Sequence, residues 1–334
     1  MDSIKLDHAD ITVPRIGLGT WAIGGWMWGG TDDAQAVDTI VSALERGIGL
    51  IDTAPVYGFG HSEEIVGKAL AQFGRRDEII LATKLGLAWD DQGRVRRDSS
   101  PARIRQEIED SLRRLRTDYI DIYQVHWPDA AVPYEETAQT LDDLRRAGKI
   151  RAIGVSNYRP EQMEAFRAAA PLATDQPPYN LFEREIEADV QPYCTERGIG
   201  LIAYGALCRG LLSGRMRADR AFQGDDLRQH DPKFQQPRFG QYLNAVERLD
   251  AYAREHYGKR VIHLALRWLI DQPGVATALW GARHPEQLDP VEDVLGWSLD
   301  ADALKAIDAI LDACITDPVG PEFMAPPENS AAPA

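Results

Sequence analysis

The chain has 334 residues, and 52 acidic against 37 basic side chains give it a formal net charge of −15. Such a surface repels phosphate backbones and anionic lipid, which argues against nucleic acid and membranes as partners but leaves room for local basic residues to hold a single phosphate. The apolar fraction of 44% suits a globular protein, no apolar run approaches the roughly 20 residues that cross a bilayer, and the opening Met1-Asp2-Ser3-Ile4-Lys5 lacks the apolar segment of a secretion signal.

Short β-branched runs alternate with longer amphipathic stretches. Strands are predicted at Ile16–Thr20, Leu50–Ala54, Ile79–Lys84, Ile120–Trp127, Arg151–Asn157, Leu172–Gln176, Leu201–Ala206 and Val275–Ala282. Helices are predicted between them at Asp33–Arg46, Ser62–Phe73, Pro101–Leu115, Tyr134–Ala147, Pro160–Ala169 and Ile186–Arg197. Asp32 or Asp33 suits the first helix cap, Ser100 before Pro101 suits another, and Gly148 suits a C-terminal stop. Eight strands alternating with helices imply βαβ units and a parallel sheet, closed as a TIM (β/α)₈ barrel. An open doubly wound sheet is the alternative, but no G-x-G-x-x-G follows the first strand.

Two segments break the alternation. Cys208 to Gly240 forms a long loop after the seventh strand, rich in Gly, Asp, Arg and Pro. Loops of that length in compact domains are functional or disordered. An extra C-terminal helix is expected after the eighth strand, and about residues 317–334 form a Pro-rich extended tail on a single domain spanning 1–334. The three cysteines, Cys194, Cys208 and Cys314, are widely spaced without a C-x-x-C, as suits packing thiols in a reducing cytoplasm.

In such barrels the reactive side chains sit at the C-terminal ends of the strands. The second strand ends in Asp52, with Tyr57 following in a Gly-rich turn; the third ends in Lys84; the fourth ends in His126 and Trp127. Each alone reads as a strand-end polar group. Gathered at one mouth they form a proton-donating device. A free tyrosine is a weak acid with a pKa of about 10. A neighbouring Lys84 ammonium is expected to lower it, Asp52 to hold that ammonium, and His126 to hydrogen-bond a substrate oxygen. Lys84 also allows a second chemistry, a Schiff-base aldolase. The histidines and cysteines show no metal-ligand spacing, so no metal is expected. Gly205, Gly210 and Gly214 punctuate the start of the long loop and suit a backbone cradle for pyrophosphate, while Gly281, Ala282 and Arg283 end the eighth strand, where barrels place a phosphate site.

The combination Gly17-Leu18-Gly19-Thr20-Trp21, Asp52-Thr53-Ala54-Pro55-Val56-Tyr57-Gly58, Lys84, Tyr119 to Pro128 and Gly148 to Asn157 resembles the aldo-keto reductase superfamily. Trp26-Met27-Trp28-Gly29-Gly30, Leu207 to Leu212 and Asp225 to Phe234 are similar to its bacterial general-stress and glyceraldehyde-reductase branch. The resemblance implies reduction of a small aldehyde or ketone by NADPH, reversible toward alcohols and sugars, with Tyr57 as general acid and Asp52, Lys84 and His126 around it. It implies that Thr20, Trp21, Ser156, Asn157, Gln176 and Tyr204 surround the nicotinamide of NADPH or NADP⁺. Gly205, Ala206, Leu207, Cys208, Arg209, Gly210 and Gly214, with Arg228 and Lys233, would meet the phosphates. Gly281, Ala282, Arg283 and Gln287 would meet the adenosine end, where Arg283 faces the 2′-phosphate that distinguishes NADPH from NADH. Family members often carry Arg at the place of Gln287 and then polar adenine contacts, where this chain has Pro290 and Val291. Trp21, Trp28, Tyr57, His126 and Trp127 would wall a narrow substrate pocket for small polar carbonyls such as glyceraldehyde or methylglyoxal. The superfamily also contains nicotinamide-binding regulatory subunits with little turnover, which is the alternative function.

Overall fold

The computed structural model describes residues 1–328. The chain begins with a hairpin of β1 (Ser3–Lys5) and β2 (Thr12–Pro14). It then runs through β3 (Ile16–Gly19), α1 (Asp33–Glu45), β4 (Leu50–Asp52), α2 (His61–Phe73) and β5 (Ile80–Leu85). A second hairpin follows, β6 (Leu87–Trp89) and β7 (Val95–Arg97). After it come α3 (Pro101–Leu115), β8 (Ile120–Val125), α4 (Tyr134–Arg146), β9 (Ile150–Ser156), α5 (Pro160–Arg167), β10 (Thr174–Gln176), α6 (Val190–Glu196) and β11 (Gly200–Ala203). The chain ends with α7 (Arg238–Tyr257), α8 (Val261–Ile270), β12 (Val275–Gly281) and α9 (Ala301–Cys314).

Strands β3, β4, β5, β8, β9, β10, β11 and β12 pair in that order, all parallel, and close on themselves as a TIM barrel. These are the eight expected strands, several with ends trimmed by one to three residues. Asp32 caps α1 by accepting the Gln35 N–H at 3.0 Å, and Ser100 caps α3 by accepting from Arg103. The two hairpins were not expected: three-residue strands are too short to show a period.

Alternation along the strands decides what the barrel contains. Successive side chains point to opposite faces, so residues two apart share one. Leu50, Ala82 and Ile122 belong to one apolar cluster, which Leu6, Ile11 and Val13 of the first hairpin complete at the N-terminal end of the barrel. Two residues further along the same strands, that face turns polar: Asp52, Lys84 and Gln124, all buried. The sequence thus packs one end of the barrel with hydrocarbon and reserves the other for chemistry.

The described part of the tail is largely without regular secondary structure. Over the described part, residues 317–328, it makes a short 3₁₀ turn at Glu322–Met324 and packs on the long loop. Lys233 Nζ donates to the Gly320 carbonyl at 3.0 Å, Arg97 Nη2 donates to the Pro326 carbonyl at 3.0 Å, and Arg209 lies over the Phe323 ring. Unpaired backbone carbonyls near buried cations attract donors, which overrides the preference of a Pro-rich segment for solvent. The remaining tail residues, 329–334, lie outside the described residues.

Candidate active site

Asp52 closes β4, and the chain then folds back sharply to deliver Tyr57. The turn is held by a close backbone approach. A Cβ on Gly58, whose φ is +67°, would lie 2.3 Å from the Gly24 carbonyl oxygen, and one on Gly24 would lie 2.7 Å from the Tyr57 carbonyl oxygen. Only glycine fits either position. The Tyr57 loop is therefore pressed against the 3₁₀ turn Trp21–Gly24, and the Trp21 and Tyr57 rings stack with centroids 5.9 Å apart.

Lys84 is fully buried inside the barrel. Its Nζ donates to Asp52 Oδ2 at 2.6 Å, to the Thr53 carbonyl at 3.0 Å and to Tyr57 Oη at 3.3 Å. An ammonium has three donors, and all three are committed here. The His126 ring meets the Tyr57 ring edge-on at 5.7 Å. Lys84 thus meets the Tyr57 phenol oxygen and His126 its ring, while Asp52 joins the group through Lys84.

The electrostatics differ from the expectation in one respect. Burial, and then the Asp52 carboxylate, push the Tyr57 phenol well above its usual value. The expected lowering by Lys84 is outweighed because the dry surroundings penalise a phenolate. Burial also pulls the Lys84 ammonium down, opposed by Asp52, and burial with the nearby Lys84 charge holds the His126 imidazole well below its usual 6.5. At neutral pH the site therefore offers a protonated phenol and a neutral imidazole.

A cleft of about 510 Å³ opens over this group. It is lined by Thr20, Trp21, Trp28, Asp52, Tyr57, Gln176 and Tyr204. Gly205, Ala206, Leu207, Arg209, Gly210 and Arg228 also line it, as do Gly281, Ala282, Arg283 and Gln287. Arg215, Arg220 and Met324 also face it, and the sequence reading missed all three. Nothing in a run of loop arginines tells which of them will turn inward.

Other expected residues stand elsewhere. Ser156 and Asn157 lie behind the wall: Ser156 Oγ donates to the Gln176 carbonyl at 2.7 Å, and Asn157 Oδ1 accepts from Tyr204 Oη at 3.0 Å. They hold Gln176 and Tyr204, which do reach the cleft. Lys233 is buried against Glu183 at 2.9 Å, and Cys208 is buried in the core. Arg209 does line the cleft, but its guanidinium is occupied by Asp231 at 2.6 Å and Glu183 at 2.5 Å. Burial pushes the Glu183 carboxyl up, but Arg209 and Lys233 outweigh it and bring it down to about 2. Charges bound this firmly inside the protein are not spare cations for a ligand. Gly214 and Trp127 are also outside the cleft wall. Trp127 joins Trp26, Phe59 and Trp89 in an aromatic group around Tyr57.

Two segments are fastened over the cleft. Asp225 of the long loop accepts the Met27 N–H at 2.7 Å and the Gly29 N–H at 2.9 Å. Arg283 donates from Nη1 to the Trp28 carbonyl at 3.1 Å and from Nη2 to the Gly30 carbonyl.

A closed parallel barrel, a buried lysine clamped between carboxylate and phenol, and a long cleft above them define a protein class that the comparisons identify. Residues 15–312 match the aldo/keto reductase family, and the chain belongs to it. It is 59% identical over 327 residues, 98% of each chain, to the aldo-keto reductase YhdN of Bacillus subtilis. It is 37% identical to the NADH-specific methylglyoxal reductase of Escherichia coli, across 91% of this chain and 96% of that one. Among solved structures, a glycerol dehydrogenase of Gluconobacter oxydans superposes with a TM-score of 0.88 at 55% identity, across 97% of this chain and 99% of that one. The chain is an oxidoreductase acting on carbonyl groups.

Proposed function

We propose that the chain reduces small, polar aldehydes or ketones with NADPH, and oxidises the matching alcohols in reverse, with Tyr57 as the proton donor. The observation that carries this is the placement of Tyr57 Oη 3.3 Å from an ammonium whose other two donors are bound to Asp52 and the Thr53 carbonyl.

The residues fit a nicotinamide dinucleotide. The cleft offers the Gln176 amide and the Tyr204 ring beside Tyr57, and also Arg283, Arg215 and Arg220, while Arg228 in the same wall is paired with Asp226 at 2.6 Å. The chemistry of that donor set matches an amide-bearing ring at one end and phosphates at the other. When bound, the nicotinamide supplies the hydride. The protein supplies the proton and the placement.

Tyr57 donates its proton to the carbonyl oxygen. Lys84 stabilises the negative charge left on Tyr57 Oη, and Asp52 keeps Lys84 charged and in place. A neutral His126 can donate one N–H to the same carbonyl oxygen, fixing it within reach of the phenol. The high intrinsic affinity of Tyr57 for its proton ensures that the donor is loaded throughout the neutral range. Commitment of all three Lys84 N–H groups also favours a positioning role over Schiff-base chemistry, which needs a free neutral amine.

Arg283 is the residue we assign to cofactor choice, since a cation is required to distinguish the 2′-phosphate. The substrate class rests on the narrow aromatic surroundings of Tyr57. Relatives named for glycerol and methylglyoxal support a three-carbon substrate. The assignment carries with it a reducing, cytoplasmic setting for the three thiols.

Replacement of Tyr57 by Phe tests the reading. The variant should lose at least about a hundred-fold in the rate of NADPH-dependent aldehyde reduction, the usual scale of general-acid catalysis. NADPH titrated against tryptophan fluorescence should bind as before. Near-normal turnover would overturn the assignment.

A further inference from the structure

Gln124 lies on β8, fully buried, on the barrel face that carries the polar layer. Register places it level with Lys84 on one side and Gly154 on the other, with Thr174 beyond. An interior glutamine is an unusual guest in a barrel core, because its amide must find partners in a dry place. Two features accommodate it. A Cβ on Gly154 would lie 2.8 Å from Gln124 Cγ and 2.4 Å from Thr174 Oγ1, so the missing side chain on β9 is the space in which the Gln124 side chain runs. At its tip, Nε2 donates to Asp52 Oδ1 at 3.3 Å and Oε1 accepts from Gln176 Nε2 at 3.3 Å. Gln176 Nε2 also donates to Asp52 Oδ1, at 2.8 Å.

These bonds settle more than the position of Asp52. With its NH₂ group engaged by Asp52 and Gln124 together, Gln176 is held in one of the two amide orientations. Its Oε1, an acceptor, is the group left over, and Gln176 is a wall residue of the cleft.

We propose that Gln124 is a positioning residue of this active site. It holds the Asp52 carboxylate toward Lys84, and it locks the Gln176 amide so that an acceptor faces the cofactor. The proposal rests on the reading of Tyr57, Lys84 and Asp52 as the proton-donating group. The charged and titratable groups near the Gln124 amide are few. Lys84 faces it from β5, Asp52 from β4, Tyr57 from the loop after β4, and His126 follows on its own strand. From β9 and β10 the neighbours are Gly154, Thr174 and Gln176, none of which titrates.

Two variants test this, Gln124→Met and Gln124→Glu. Methionine fills the same volume without an amide. It should lower kcat for aldehyde reduction about tenfold, leave the KM for the aldehyde within about twofold, and weaken NADPH binding by about three- to tenfold in a fluorescence titration, the loss expected for a removed hydrogen bond. Glutamate keeps the shape but adds an ionisable group. Protonated, it donates to Asp52 as the amide does; ionised, it repels Asp52 and loses its donor. The Gln124→Glu enzyme should therefore retain near-parent kcat at the acid end of the working range and lose activity as pH rises, a limb that the parent and Gln124→Met lack. A structural role alone would lower activity without a new pH limb. Kcat within twofold of the parent in Gln124→Met, or a Gln124→Glu profile parallel to the parent's, would overturn the proposal. The Tyr57→Phe enzyme serves as control: if it remains active, the proton-donor reading fails, whereas an inactive Tyr57→Phe with indifferent Gln124 variants refutes the positioning role alone.

Discussion

Arg283 Nη1 donates to the carbonyl oxygen of Trp28 at 3.1 Å, across 255 residues of sequence. The cation assigned to cofactor choice thus also ties down the loop that carries a wall of the cleft. Replacing Arg283 by Ala removes both functions, and two cofactors separate them. Loss of the loop tie weakens NADPH and NADH alike. Loss of a charge-assisted phosphate contact, worth roughly 1.5–3 kcal/mol, falls on NADPH alone. NADPH affinity should therefore drop about ten-fold or more beyond any drop for NADH, measured by fluorescence titration. Equal weakening would place discrimination elsewhere, with Arg215 and Arg220 the next residues to examine.

Asp225 makes the converse case. Among the described residues it accepts from the backbone N–H groups of Met27 and Gly29, and it carries the wrong sign to bind phosphate. Asp225→Ala should release the 26–30 segment and speed dissociation of both cofactors by a similar factor, about three- to ten-fold for the loss of such bonds. Stopped-flow release of NADP⁺ and NAD⁺ checks this. An effect confined to one cofactor would contradict a simple fastening role.

Lys84→Met should damage stability and rate together. The substitution leaves Asp52 buried without its cation, a defect that typically costs about 3–5 kcal/mol. It also removes the charge that stabilises the phenolate, so kcat should fall at least about a hundred-fold. Tyr57→Phe should lose rate with little change in stability. Denaturant unfolding of the two variants side by side distinguishes them, and equal stability would show that Lys84 and Asp52 are less tightly coupled than their 2.6 Å contact implies.

A pH dependence of stability follows from His263, which is not part of the proton-donating group. Its Nδ1 accepts the Arg260 N–H at 3.1 Å at the start of α8. Burial, then the Arg260 charge, pull the ring down to about 4. Protonation would end that bond. Since the folded value lies below the unfolded one of about 6.5, the unfolded chain takes up the proton first. The contribution is complete above about pH 6.5 and is lost as pH falls toward 4. Gln at this position keeps an acceptor and removes the titration. Between pH 7 and pH 5 the parent should lose about 1–2 kcal/mol more stability than His263→Gln, after allowance for solvent screening. Parallel unfolding curves at the two pH values would refute this.

The barrel was legible because its signal is local and repeated: each βα unit writes its own apolar run, cap and polar strand end. Asp52, Tyr57, Lys84 and His126 were legible for the same reason, since a barrel turns strand ends into neighbours. What the sequence concealed were the effects of distant partners. Arg209 and Lys233 sit in a loop and read as available cations, yet Glu183, some 26 and 50 positions earlier, consumes both. Ser156 and Asn157 read as ligand contacts, and the structure adds partners within the protein: Ser156 Oγ donates to the Gln176 carbonyl, Asn157 Oδ1 accepts from Tyr204, and Asn157 Nδ2 donates to the His126 carbonyl and Ser156 Oγ. The direction of the Tyr57 shift also escaped, because residue types reveal a neighbouring charge but not the dryness around it. Gln124 was on view in the fourth strand. Its meaning depends on Gly154, which makes the room, and on Asp52, which accepts the bond.

The first hairpin has a consequence for traffic. Leu6, Ile11 and Val13 fill the N-terminal end of the barrel with side chains, so the reaction chamber is a cul-de-sac. Whatever enters to be reduced must leave as alcohol by the door it came in.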